Sequence, residues 1–350
     1  MLKPLNAEKQ GAIYAFLHFF IEVICFYRLF SERSEWDSLW LCALTYDALA
    51  FVPQSFFGIL TDKYPKTKAA PSGFILAALS FLPLGKYISL VLLALGNALI
   101  HIAGANATLR AAHGKTAPSG LFVGGGSFGV ISGQLLGSAG NKTLIVLPLV
   151  LCIVGFIVTL LLPRYTDMTA PASGFREANK KLPTGLIVFL IFLTVAARAY
   201  IGYAIPTAWN KKTWQTVLLF VCMGIGKMLG GVFADRFGSR KTAVVSLLAA
   251  LPFLLFGDKL MAVSLFGVLL FSMTMPISLG VLVSVLADQP GLSFGITTVG
   301  LFTGTLPVFF IKPHSLTAHI IIVTVLTITA AVCFFIAAAD NTKERKNQCS

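Results

Sequence analysis

The sequence predicts an all-α membrane protein of about twelve transmembrane helices in two six-helix bundles related by pseudo-two-fold symmetry. Three observations predict it. The 350 residues are 56% hydrophobic and 12% charged, with a mean hydropathy of +0.83, whereas soluble domains hold about 25% charged residues. The apolar residues fall into runs near the ~20 residues needed to cross the hydrocarbon of a bilayer. The two halves of the chain repeat one another around a polar midpoint. So many runs leave only short loops, so no extramembrane domain is expected.

The first run, 11–30, contains His18, Glu22 and Arg28. No small-residue cleavage site follows, so it reads as a membrane helix and not as a removable signal. Further runs lie at 38–60, 70–85, 88–109, 118–138, 143–163, 185–205, 214–234, 242–257, 260–286, 292–311 and 315–338. The third and ninth are short, which leaves eleven spans as the other count. Lipid offers no partner to a backbone N–H or C=O, so each run must be helical or part of a closed barrel. Runs this long without period-two alternation exclude the barrel. Residues 164–184 carry Pro171, Pro183, Ser173, Arg164, Arg176, Lys180 and Lys181, the composition of a cytosolic linker. The expected organisation is therefore a bundle over 1–163, a linker over 164–184, and a second bundle with a short cytosolic tail over 185–350.

Charge sets the orientation. Lys and Arg on the side that holds both termini outnumber those on the other side by about two to one, which places both termini in the cytosol. Trp36, Trp40, Trp209 and Trp214 then fall at the outer interface, as an aromatic belt. The formal net charge of +13 is spread over short clusters between apolar runs. Nucleic-acid binding needs a basic patch on one face and is excluded as a function class. Cys25, Cys42, Cys152, Cys222 and Cys333 lie in apolar runs and no C-x-x-C pair exists. They read as packing residues, and neither a disulfide framework nor a metal or cofactor site is signalled.

The repeat is visible in two segments. PQSFFGILTDKYPKTK, beginning at Pro53, aligns without a gap on GKMLGGVFADRFGSRK, beginning at Gly226. Gly58 meets Gly231, Asp62 meets Asp235, Lys63 meets Arg236 and Lys68 meets Lys241; Trp36 meets Trp209 in the same register. Gly129 and Gly133 meet Gly300 and Gly304 in nearly the same one. A six-plus-six parallel repeat is a recurring transporter design.

Both segments resemble the loop signature of the major facilitator superfamily, G-x-x-x-D-(R/K)-x-G-(R/K)-(R/K), found between the second and third helices of each half. The copy at Gly231, Asp235, Arg236, Gly238, Arg240 and Lys241 follows it with one inserted residue. The copy at Gly58, Asp62, Lys63, Lys66 and Lys68 has Pro65 where glycine is usual. The resemblance implies an alternating-access transporter, a monomer in the bacterial cytoplasmic membrane, whose loop aspartates latch the two halves on the cytosolic side. Physically, the glycines permit close helix approach. The aspartates suit helix N-termini, and the basic residues suit lipid headgroups; setting topology alone is the other reading of those charges. In the fifth run Gly125, Gly129, Gly133 and Gly137 share one helix face, a packing seam. The family's glycine-rich antiporter pattern includes a proline that is missing here. The stretch from Gly96 to His101 is distantly similar to the fourth helix of fosmidomycin-resistance-type efflux proteins.

Ionisable groups inside a membrane are functional-site candidates. His18 and Glu22 share a face of the first run, as Asn97 and His101 do of the fourth. Asp47 lies in the second run, Arg198 in the seventh and Lys227 in the eighth. Two readings follow. Either Glu22 and Asp47 carry a coupling proton while Arg198 and Lys227 hold an anionic or zwitterionic solute, or the acids and bases pair across the halves and only hold the structure. The histidines read equally as proton carriers or packing residues. The expected function is secondary transport of a small organic solute, which includes drug efflux, coupled to a proton or another ion. The alternative is a non-transporting scaffold or sensor of the same fold. An enzyme is not expected, because the five histidines are scattered along the chain and no catalytic constellation converges in the sequence.

Overall fold

The computed structural model describes residues 7–65, 67–162, 169–205, 207–311 and 315–340. Lys66, the first residues of the expected linker and the tail beyond residue 340 lie outside the described residues. Among the described residues twelve α-helices run in order, short 3-10 turns aside and each broken helix taken as one: α1 Ala7–Ser31, α2 Leu39–Lys63, α3 Ala69–Leu79, α4 Lys86–Ala111, α5 Ala117–Ser138, α6 Val146–Leu161, α7 Thr184–Ala204, α8 Thr213–Phe237, α9 Ser239–Phe256, α10 Met261–Val285, α11 Pro290–Thr305 and α12 Leu316–Ala337. Eleven are long and apolar enough to span a bilayer when α6 is taken from Lys142 and α11 to Phe309. Among the described residues there is no strand, only one isolated bridge between Ala178 and Ala338.

The third element corrects the expected 70–85 span. It stops at Leu79, so at 1.5 Å per residue it is roughly 16 Å long, about half the hydrocarbon thickness. Pro83 lacks an N–H to continue the helix, and Gly85 takes φ 87, a left-handed conformation suited to glycine. Two other helices are broken inside the membrane. Helix α2 is interrupted at Val52, just before Pro53, and α10 at Met273, shortly before Pro276. Proline removes a backbone donor and crowds the preceding turn. Near these breaks, Phe51 O accepts from the Thr298 hydroxyl at 3.2 Å and Phe271 O accepts from Arg198 Nη2 at 3.0 Å.

Buried apolar residues form two clusters. One is built on Leu17, Ile21, Phe74, Ile102 and Phe122, the other on Ile187, Ile191, Leu247, Ile277 and Phe334. Leu279, Val283 and Phe294 of the second half reach into the first cluster. The halves meet chiefly where α2 packs on α11 and α5 packs on α8, with α4 against α11 and α5 against α10. Phe16, Ile153, Ile157, Phe189, Val245 and Phe335 are exposed, an apolar periphery that only lipid can cover at this density. The chain is an integral membrane protein.

The segment after α6 is packed down. Ala172, Phe175, Glu177 and Ala178 are buried. Ala172 N donates to Ala287 O at 2.8 Å and Asn179 N to Ala337 O at 2.8 Å. The Ser239 hydroxyl, at the start of α9, donates to Glu177 Oε2 at 2.6 Å. A carboxylate at a helix N-terminus meets both free N–H groups and the positive end of the helix dipole.

Candidate functional site

Two of the scattered histidines converge. His18 on α1 and His101 on α4 lie with ring centroids 4.2 Å apart, nearly perpendicular. This corrects the expectation that the histidines stay apart, because α1 and α4 pack together in the first bundle. Glu22 sits between them: its Oε1 is 3.5 Å from His18 Nε2 and 3.2 Å from His101 Nε2. All three side chains are buried. His18 Nδ1 is 2.8 Å from Phe122 O, and His101 Nδ1 is 2.9 Å from Asn97 O. A carbonyl only accepts, so each Nδ1 carries its hydrogen and each Nε2 is turned to the carboxylate. Glu22 Oε2 and Asn97 Oδ1 are buried with no hydrogen-bond partner. The His18 ring fits because α5 offers it a glycine: a Cβ on Gly126 would lie 2.3 Å from Nε2.

The bases stand in the other half. Arg198 on α7 is buried. Its Nη2 donates to Phe271 O at 3.0 Å, the carbonyl beside the break in α10, and its guanidinium lies 4.9 Å from the centre of the Phe271 ring. Lys227 on α8 donates from Nζ to Ser127 Oγ on α5 at 2.8 Å. Among the described residues, neither base forms an ion pair with Glu22 or Asp47. Asp47 on α2 is half-buried and makes no hydrogen bond there. Helix α5 therefore carries the first half's triad on one side, at Phe122 and Gly126, and the second half's lysine on the next residue, Ser127. Phe294 of α11 packs 6.3 Å from the His101 ring and 5.9 Å from Phe122, which brings the triad to the boundary of the halves.

The two loop motifs occupy related positions at the end of the bundle that holds the linker. Asp62, at the end of α2, accepts from Gly291 N at 3.0 Å and Leu292 N at 2.9 Å, the first turn of α11. Asp235, at the end of α8, accepts from Thr116 N at 2.7 Å and Ala117 N at 2.9 Å, the start of α5. Each aspartate thus caps a helix of the opposite half. The glycines lie in the same contacts: a Cβ on Gly58 would be 2.4 Å from Gly291 O, and one on Gly231 would be 2.7 Å from Thr116 O. The basic residues of the motifs sit elsewhere. Lys63, Lys68, Arg236 and Lys241 are exposed, and Arg240 donates to Ala338 O at 2.7 Å. The cation beside Asp62 is Arg110, at 3.3 Å, with Asn106 donating to the same carboxylate at 2.9 Å.

Comparison with solved structures matches 164 chains, among them two crystal structures of one protein. A crystal structure of the E. coli fucose:proton symporter FucP superposes with a TM-score of 0.66 at 16% identity, covering 93% of this chain and 97% of that one. A second, the major facilitator superfamily transporter FucP in the outward conformation, matches with a TM-score of 0.61 at 16% identity, over 92% and 97%. The chain has the major facilitator superfamily fold. No protein-family model and no curated protein matches it.

Within the facilitator fold the glycine faces are occupied. Cβ atoms on Gly125, Gly129, Gly133 and Gly137 would lie 2.5, 2.5, 2.6 and 2.5 Å from the carbonyls of Ala15, Phe19, Val23 and Tyr27, successive turns of α1. In the other half, a Cβ on Gly304 would lie 2.0 Å from Ala196 O, and one on Gly300 3.2 Å from Val195. Sequence reasoning missed Arg110, Asn106, Ser127, Gly126 and Glu177 as contributors. Arg110 read only as a topological charge, and Glu177 only as part of a linker. Their partners lie on other helices, so no local pattern marks them.

Proposed function

We propose that this chain is a secondary active transporter that moves a small anionic or zwitterionic organic solute by alternating access, coupled to a proton. Arg198 and Lys227 hold the solute, while Glu22 with its two histidines and Asp47 carry the proton. The observation that carries this reading is the pair of second-half bases without carboxylate partners, across α5 from a buried carboxylate triad. A buried charge without a counterion costs several kcal/mol. Arg198 is offset only by a carbonyl, a thioether and a ring face, which leaves it free to meet a carboxylate or phosphate on a ligand. The fold likeness to a fucose:proton symporter supports proton coupling. On this reading the protein is a monomer in a bacterial cytoplasmic membrane, with both termini cytosolic. The loop aspartates and the linker close the cytosolic side.

The test is a thermal-shift screen of metabolites and drugs on the purified protein, followed by pH-gradient-driven flux in proteoliposomes. The expected result is an anionic compound that raises Tm on wild type, as binding to the folded state must, and loses that effect on Arg198→Ala and Lys227→Ala. If no compound stabilises the wild type and both variants simply unfold, the bases are structural and the site assignment fails.

A further inference from the structure

We propose that His18, Glu22 and His101 form a binding site for a divalent transition-metal ion of the zinc class. Their ligand atoms all lie within 4.8 Å of one another. Zinc takes histidine nitrogen and carboxylate oxygen at about 2.0–2.1 Å, so neighbouring ligands of a tetrahedral ion stand roughly 3.3 Å apart. Glu22 Oε1 stands 3.5 Å from His18 Nε2 and 3.2 Å from His101 Nε2. Two of the three edges therefore already have tetrahedral length.

The orientation of the rings is the second argument. Both Nδ1 atoms face backbone carbonyls, at 2.8 and 2.9 Å. This is the arrangement that fixes the tautomer of a metal-ligating histidine and turns its Nε2 lone pair to the ion. In the neutral rings two lone pairs then confront a carboxylate in a buried site, an arrangement that either a proton or a metal ion between them relieves. Imidazole and carboxylate together select zinc, cobalt or nickel over calcium or magnesium, which take oxygen ligands. Glu22 Oε2 and Asn97 Oδ1, both buried without partners, supply further acceptor capacity. Spacing in the sequence did not signal this site, because His101 joins the His18–Glu22 pair only through the packing of α4 on α1.

On the proton-coupling reading above, which this consequence requires and the metal site does not, the ion takes the place of the coupling proton. Zinc then inhibits pH-driven flux, and a chelator restores it.

The experiment uses the full chain in detergent, purified through a tag without histidine and stripped with chelator, then titrated with Co2+. The expected result is one Co2+ per chain, with ligand-field bands in the visible that Zn2+ abolishes. His101→Gln and Glu22→Gln should each weaken binding by at least about 100-fold, more than the loss of an outer-shell partner, while His113→Gln leaves it unchanged. X-ray absorption of the Zn2+-loaded wild type should show two imidazoles and oxygen, a reading that stands even where a variant does not fold. No stoichiometric band, unchanged binding in His101→Gln, or a shell of sulfur or of water alone would overturn the proposal. The triad would then hold only a proton. Flux with no metal binding sinks this site alone; metal binding with no flux for any solute sinks the transporter reading alone.

Discussion

Asp62 and Asp235 each set two carboxylate oxygens against two successive N–H groups at a helix start. Hydrogen bonds to a charged group contribute about 1.5–3 kcal/mol each. Asp62→Asn keeps one acceptor, turns the other into a donor facing a donor, and leaves Arg110 without its carboxylate. We expect a loss of about 2–3 kcal/mol by the same arithmetic, seen as a clear fall in Tm; an unchanged Tm would mean that the cap is solvated and idle. Gly126 is the other decisive single residue. Gly126→Ala puts a methyl where the His18 ring lies, so the ring must swing away from Glu22. Overpacking of this kind costs about 1–3 kcal/mol, and proton-driven flux should be lost with it.

At the scale of elements, α1 and α5 approach so closely that four glycines lie on four carbonyls. Close backbone approach of this sort is how membrane helices associate where the hydrophobic effect is absent. The matched substitutions are Gly129→Ala and Gly185→Ala. A Cβ on Gly129 would meet Phe19 O at 2.5 Å, whereas one on Gly185 meets nothing within 4 Å. We expect Gly129→Ala to lower stability by about 1–3 kcal/mol, and Gly185→Ala to be neutral or to raise it by up to about 1 kcal/mol through helix propensity. Equal thermal unfolding of the two variants would refute a packed seam. The proline breaks belong to this scale too: Arg198 of α7 donates to Phe271 O, just before the break in α10.

For the whole molecule, the two aspartate caps and the packed segment around Glu177 all act at one end of the bundle. On the alternating-access reading proposed above, these two related contacts form a gate on that face whose halves separate together. The double variant Asp62→Asn with Asp235→Asn should therefore shift the population toward separation at that end. Spin labels on cysteines at the exposed positions Lys68 and Lys241, one in each half, should report a longer mean distance in the double variant than in the parent. An unchanged distribution would place the stability of that closure in the apolar contacts of α2 with α11 and α5 with α8.

The sequence by itself determined that the chain lives in a bilayer, that it is helical, and that it is built on a repeated half. Hydropathy, run length and internal register are local or periodic properties, and lipid punishes an unsatisfied backbone wherever it occurs. The residue before a proline or a left-handed glycine is equally local, yet the short α3 was overread because apolar residues continue past Pro83 to Leu84. Which polar groups meet was decided only by tertiary packing. His18 and His101 sit on different helices, Arg110 reaches Asp62 from α4, and Lys227 finds Ser127 across the halves. Contacts of that kind depend on how helices rotate and slide against one another, which glycine seams and proline breaks set and no periodicity in one segment records.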